Sequence, residues 1–255
     1  MTVAREAAYG LGVAAERILV ADGIRKRFGA LVVLDGVDFG VAADEAVGIV
    51  GPNGAGKTTL LNVLAGALRP DGGSISFGGQ PVTRAGAAAR CRLGIARAHQ
   101  IPKPFGGMTV FENVFVGATN GAGLRGRAAY DRAADVLEVC ELLPLANRPA
   151  ESLGLLHRKR LELARALATD PQLLLLDEIG AGLTDEEAQQ LVATIKGVRA
   201  QGVAIVWIEH IVHVLVQVID RLVCMDAGRV IAEGDPETVM GDAAVIDAYL
   251  GSAVA

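Results

Sequence analysis

Residues 51 to 59 read Gly-Pro-Asn-Gly-Ala-Gly-Lys-Thr-Thr. This stretch constrains the fold more than any other, because it must join a strand to a helix. It fits the spacing G-x-x-x-x-G-K-[ST] of a phosphate-binding loop. The residues before it, Ala46 to Val50, are an apolar run short enough for a buried strand. Those after it, Thr58 to Leu68, place Leu60, Leu61, Leu64 and Leu68 on one helical face. Glycines at 51, 54 and 56 let the backbone bend around an anion with no Cβ in the way. Several N–H groups then converge on a β-phosphate, and the helix adds about half a positive charge at its N-terminus. Lys57 is expected to reach the β- and γ-phosphates and Thr58 to hold Mg²⁺. The alternative is a Gly-rich strand-to-helix turn with no ligand, and the Gly-Lys-Thr-Thr ending argues against it. The stretch implies binding of a nucleoside triphosphate.

The chain has 255 residues, of which 51% are hydrophobic, enough for one large α/β domain with a smaller insert. A net charge of −5 argues against a surface that coats nucleic acid. Cys91, Cys140 and Cys224 are scattered, with no metal spacing or disulfide framework, which suits a reducing compartment. Every apolar stretch is interrupted well before the ~20 residues that a membrane-spanning helix needs. Ala7 to Ala15 is apolar, but Glu6 and Glu16 bracket it and no cleavage pattern follows.

Strands are expected at Ile18 to Asp22, Val33 to Val41 and Ser74 to Phe77, with a polar turn at Arg25 to Gly29. Pro70-Asp71-Gly72-Gly73 is a further turn. Helices are expected at Arg127 to Leu143, with Pro144 and Pro149 beyond it, and at Leu155 to Ala168. Apolar runs at Gln172 to Leu176 and Val203 to Ile208 then alternate with helices at Asp185 to Ala200 and His210 to Ile219. A hairpin pairs Leu222 to Met225 with Arg229 to Ala232. The alternation implies a mainly parallel sheet. Four parts are expected: an extension at 1–17, a catalytic core at 18–90 and 166–235, a helical subdomain at 91–165, and a helical tail at 236–255.

Leu173-Leu174-Leu175-Leu176-Asp177-Glu178 delivers two carboxylates at the C-terminal end of a strand, where α/β sheets bind ligands. Asp177 is placed to hold Mg²⁺ through water and Glu178 to polarise the water that attacks the γ-phosphate. Alone, such a pair is as readily a strand ending in solvent. His210, after Trp207-Ile208-Glu209, could donate to the γ-phosphate; a capping or core histidine is the alternative. Gln100, after Arg97-Ala98-His99, could touch Mg²⁺ or the attacking water.

Together these residues resemble the nucleotide-binding subunits of ABC transporters over roughly 17 to 251. Gly51 to Thr59 matches the Walker A motif, Leu173 to Asp177 Walker B, Glu178 the catalytic glutamate, Gln100 the Q-loop and His210 the switch histidine. Phe28 matches the aromatic that stacks on adenine, and Ala181-Gly182-Leu183-Thr184 occupies the D-loop. Three segments are most similar to the larger ATPase subunit of branched-chain amino acid importers: Ile101 to Phe105 with Gly107 to Val114, Ala181 to Thr184, and Val245 to Gly251. The resemblance implies an α/β P-loop NTPase with a RecA-like core, an antiparallel β-subdomain and an inserted α-helical subdomain. It implies ATP and Mg²⁺ held by Phe28, Gly51, Pro52, Asn53, Gly54, Ala55, Gly56, Lys57, Thr58, Thr59, Gln100 and Asp177, the metal by Thr58, Gln100 and Asp177. Glu178, His210 and Lys57 would carry the chemistry. The implied partners are a second ATPase subunit, in a hetero- or homodimer, transmembrane permease subunits and, indirectly, an extracytoplasmic solute receptor, with no nucleic acid. The implied location is cytoplasmic, on the inner face of the membrane. The other readings are a non-transport ABC ATPase and a weakly hydrolysing regulatory subunit.

The chain departs from the family in one important place. The signature Leu-Ser-Gly-Gly-Gln aligns with Leu153-Gly154-Leu155-Leu156-His157, so the serine is absent and Leu156 is expected to bring bulk toward a partner's nucleotide. A shifted register would use Ser152 as the hydroxyl donor. Ile179 replaces the proline usual after the glutamate, and Thr184 the D-loop aspartate. The departure points to a heterodimer with two unequal ATP sites.

Overall fold

The structure is a computed structural model and describes residues 17–252. Of the expected N-terminal extension, residues 1–16 lie outside the described residues. The elements run β1 (Arg17–Phe28), β2 (Leu31–Ala42), β3 (Ala46–Val50), α1 (Lys57–Leu64), β4 (Gly72–Phe77), β5 (Gln80–Pro81), α2 (Ala87–Arg92) and β6 (Ile95–Ala98). Then come α3 (Val110–Val116), α4 (Gly126–Val139), α5 (Leu155–Leu167), β7 (Leu173–Asp177), α6 (Asp185–Arg199), β8 (Ala204–Ile208), α7 (Val212–Leu215), β9 (Arg221–Asp226), β10 (Arg229–Gly234), α8 (Pro236–Met240) and α9 (Ala243–Ser252).

Two sheets form. An antiparallel sheet has the order β2-β1-β4-β5, and a six-stranded sheet the order β10-β9-β3-β8-β7-β6. The second is parallel except for β10, which pairs antiparallel with β9 at the edge. Strand β3 lies between β8 and β9, so the phosphate loop leaves from the middle of the sheet. Successive side chains of a strand point to opposite faces. Accordingly Val47, Ile49, Leu173 and Leu175 join one core with the antiparallel sheet and α1. Val50, Leu174, Leu176 and Trp207 join a second core with the helices of the other face. Trp207, the chain's one tryptophan, is fully buried in register with Gly48 and Leu176.

Helix α1 buries Leu60, Leu61 and Leu64 completely. It stops at Leu64, short of the expected Leu68, because Gly66 adopts φ 75°. Its last turn is held by Arg90, whose side chain is fully buried. The guanidinium donates to the carbonyls of Val63 at 2.8 Å and Leu64 at 2.7 Å, and further bonds reach Ala85 and Val82. The Val63 and Leu64 carbonyls belong to the last turn, where a helix lacks its regular intrahelical donors, so the arginine fixes α1 from behind.

Several elements differ from the sequence reading. Arg25 to Phe28 is not a turn but the outer part of β1, where Arg25 and Arg27 face solvent and Asp71 binds Lys26 and the Arg27 N–H. Strand β6 lies inside the range expected to be helical. Helix α4 ends at Val139, ahead of Glu141 at φ 55°. The helix expected at His210 to Ile219 shrinks to four residues; the β-branched residues Val212, Val214, Val216 and Val218 disfavour a longer one.

Candidate functional site

The phosphate loop is shaped by space as well as by torsion. Gly51 stands at φ 142° and Gly56 at 99°. A Cβ on Gly51 would lie 2.0 Å from the Met225 carbonyl oxygen, and one on Gly56 2.7 Å from that of Val33. No side chain fits at either place. Residues 53 to 59, with Val33 and Glu178, line a cleft of about 180 Å³. Asn53 and Thr58 are exposed there, whereas Pro52 and Ala55 are buried behind the loop, so only their backbone faces a ligand. A larger cleft of about 240 Å³ lies between α2, β6 and α5. It lacks the loop and Glu178, so the chemistry is placed in the smaller one.

Lys57 is buried, and its ammonium donates to the carbonyls of Gly51 at 2.6 Å and Pro52 at 2.9 Å. Burial pulls its pKa below the usual lysine value, against the opposing fields of Glu178 and Asp177. Asp177 ends β7 and is buried; through Oδ2 it accepts from Arg97 at 2.6 Å, and Arg97 also donates to the Asn62 side chain at 2.6 Å. Glu178 follows with φ 46°, a left-handed turn costly for a residue with a Cβ and typical of functional sites. Its N–H donates to Ile208 O at 2.9 Å. One carboxylate oxygen accepts from the Gln100 amide at 2.6 Å, and the other lies 2.8 Å from His210 Nε2. Gln100 and His210 are thus joined through Glu178, which lines the cleft.

Phe28 sits apart, at the end of β1 beside the Gly29–Ala30 turn. It is 49% exposed, with the Lys26 ammonium 5.5 Å from its ring centroid. Leu31 and Val32 are exposed beside it, and Val33 joins this apolar tip to the cleft.

Three charges near the site went unnoticed in the sequence. Arg97, half-buried against Asp177, is one. Lys159 donates to the Gln100 carbonyl at 2.6 Å. Glu209, 2% exposed, accepts the N–H groups of Gly180 at 2.8 Å and His210 at 3.0 Å. Burial pushes its carboxyl above the usual range, against those two bonds. Glu209 therefore ties the segment after Glu178 to the one carrying His210. An acid closing the apolar run Trp207-Ile208 was the available signal.

The altered signature also differs from expectation. Helix α5 starts at Leu155 with Gly154 as its N-cap. Leu156 does not bring bulk to the surface: it is 7% exposed and packs in the core, and the exposed side chain is Leu155. The shifted register finds no support, because the Ser152 hydroxyl donates to Pro149 O at 2.7 Å. Ile179 is fully buried. Thr184 caps α6, accepting from the Glu187 N–H while Glu187 accepts from the Thr184 N–H.

Among the described residues, no three His, Cys, Asp or Glu side chains cluster as a metal site. Mg²⁺ takes oxygen donors, keeps waters and uses one or two carboxylates together with substrate phosphates. The Thr58 hydroxyl and the Asp177 carboxylate are oxygen donors of the right kind.

The family model described as ABC transporter matches residues 34–181, and one described as branched-chain amino acid ATP-binding cassette transporter matches residues 229–255. The chain is 37% identical to the high-affinity branched-chain amino acid transport ATP-binding protein BraF of Pseudomonas aeruginosa, over 92% of this chain and 98% of that protein. It is 36% identical to LivG of Escherichia coli, with the same coverage. Among solved structures, a nucleotide-free ATP-binding cassette from an ABC transporter superposes with a TM-score of 0.83 at 31% identity, over 92% of this chain and 99% of that one. An ATP-binding cassette of an ABC transporter in its ADP conformation gives 0.85 at 32%, with the same coverage.

Proposed function

The chain belongs to the ABC transporter family of ATP-binding proteins, and on that premise we propose that it binds MgATP in the cleft of residues 53 to 59 and hydrolyses it to power uptake of branched-chain amino acids or similar small organic solutes. The observation that carries the mechanism is the Glu178 carboxylate on the wall of the phosphate cleft, held by Gln100 on one oxygen and His210 on the other.

The glycine-shaped loop presents its N–H groups to the phosphates, and Lys57 exchanges its two carbonyl partners for phosphate oxygens. Thr58 and Asp177, with Gln100, would hold Mg²⁺, which when bound would supply positive charge against the phosphates. Glu178 accepts a proton from the attacking water. His210 donates to the γ-phosphate and registers its departure, and Phe28 stacks on the base, an interaction worth roughly 1–3 kcal/mol. No described helix is long and apolar enough to cross a membrane, so translocation needs separate membrane subunits, on whose inner face this chain docks. A second ATPase subunit completes each nucleotide site. With Gly154 in place of the signature serine, the partner is a different chain and the two sites are unequal.

The test is nucleotide binding and turnover in the reconstituted complex. Lys57→Ala abolishes MgATP binding. Glu178→Gln keeps binding but lowers turnover by about 1000-fold, or ~4 kcal/mol of barrier. Wild-type turnover after Glu178→Gln would place hydrolysis in the other site. Absence of MgATP binding by the unaltered protein would refute the whole reading.

A further inference from the structure

The C-terminal helix reaches the phosphate loop. Gly51 N–H, the first amide of the loop, donates to the Tyr249 hydroxyl at 2.9 Å, across 198 residues of chain. Tyr249 lies on α9. That helix starts behind Asp242, whose carboxylate accepts the Ala244 N–H at 2.8 Å. It is anchored by Val245, 1% exposed in the core. Val245 and Tyr249 are four residues apart and so share one helical face: the valine fixes the helix and the tyrosine extends from it to the loop. Gly51 itself cannot shift freely, because its Cα lies against the Met225 carbonyl with no room for a methyl group. Its carbonyl is held by Lys57. The amide of the same residue is buried in the loop's base.

We propose that Tyr249 is a positioning residue for nucleotide binding: its hydroxyl, delivered by α9, holds the base of the phosphate loop in the shape that grips a triphosphate. The inference rests on the reading of residues 51 to 59 as that grip. When Lys57 turns to the phosphates it releases the Gly51 carbonyl, and the Tyr249 bond to the N–H then remains to fix that residue. Without the hydroxyl, a buried N–H loses its partner, the loop samples other shapes, and apparent affinity falls by the fraction still competent. Anything that lifts α9 off the body would act on ATP binding in the same way.

The experiment compares wild type, Tyr249→Phe, Val245→Ala and Leu250→Ala by MgATP titration at low temperature, by thermal melting, and by ATPase kinetics of the reconstituted complex. Tyr249→Phe keeps the ring and removes only the hydroxyl. It is expected to weaken MgATP binding at least ~5-fold and to raise KM by a similar factor with kcat unchanged. Val245→Ala, which loosens the anchor, also weakens binding. Leu250→Ala, at a position 62% exposed, leaves it unchanged. Wild-type affinity in Tyr249→Phe overturns the inference, whether or not the melting temperature falls. So does a loss in Leu250→Ala as large as in Tyr249→Phe. If the wild type itself binds no MgATP, it is the reading of the loop that fails, and the two failures are distinct.

Discussion

The ion pair between Arg97 and Asp177 sets a measurable cost for disturbing the carboxylate end of β7. The two side chains are 11% and 7% exposed and meet at 2.6 Å, so solvent screens them little. Replacing Arg97 by Met preserves much of the volume on β6 but leaves Asp177 a buried, uncompensated charge. Breaking a buried pair from one side costs roughly 3–5 kcal/mol, whereas removing both charges costs far less. With a urea m value of about 3 kcal/mol/M, Arg97→Met lowers the unfolding midpoint by at least about 1 M. Arg97→Met with Asp177→Asn recovers most of that loss, giving a coupling energy of at least about 2 kcal/mol in a double-mutant cycle. The assay is urea unfolding followed by circular dichroism, with m unchanged across the set. A midpoint shift below ~0.2 M for the single variant, or simple additivity in the cycle, would refute the reasoning.

Gly51→Ala forces a methyl group to 2.0 Å from the Met225 oxygen; MgATP binding is lost in titration and the melting temperature falls by several degrees, as for ~1–3 kcal/mol of overpacking. Glu209 has a folded-state pKa raised above 4.5 by burial, so the folded protein holds its proton more tightly than the unfolded chain does. Its contribution to stability is full below pH ~4.5 and is lost as pH rises through the raised value; Glu209→Gln flattens that part of the stability–pH curve. The thiols of Cys140 and Cys224 are pushed up to about 12 and about 11 by burial, whereas Cys91 is half-buried. At pH 8 iodoacetamide therefore labels Cys91 alone in the native protein and all three after urea unfolding, as mass spectrometry would read.

What could be read from the sequence was local. The phosphate loop announces itself because strand, glycines, Lys57 and helix are contiguous, and the Asp177-Glu178 step because it closes a run of leucines. Strand β3 appears where Ala46 to Val50 placed it, since a fully buried parallel strand is apolar at every position. Strand β1 was cut short because its outer half alternates charged residues on an exposed face, a pattern shared with turns. Arg97 and Asp177 are 80 residues apart and Gly51 and Tyr249 are 198 apart; neither partner has a spacing that marks the other. Leu156 was misplaced for a related reason: which of two adjacent leucines faces inward depends on the rotation of α5, and that is set by packing. Thr184, read only as a departure from a motif, turned out to be a helix cap with Glu187 three residues on, a pattern that was visible in the sequence.

Trp207 gives the molecule a built-in optical gauge. Its strand lies between the strand that launches the phosphate loop and the strand that ends in Asp177, the indole is sealed against the helices on one face, and its ring nitrogen has no hydrogen-bond partner among the described residues. No other tryptophan contributes to the signal. Emission of the unlabelled protein therefore reports on the middle of the sheet and the helical face packed on it: a shift to longer wavelength marks the moment water reaches the core behind the phosphate loop and Asp177.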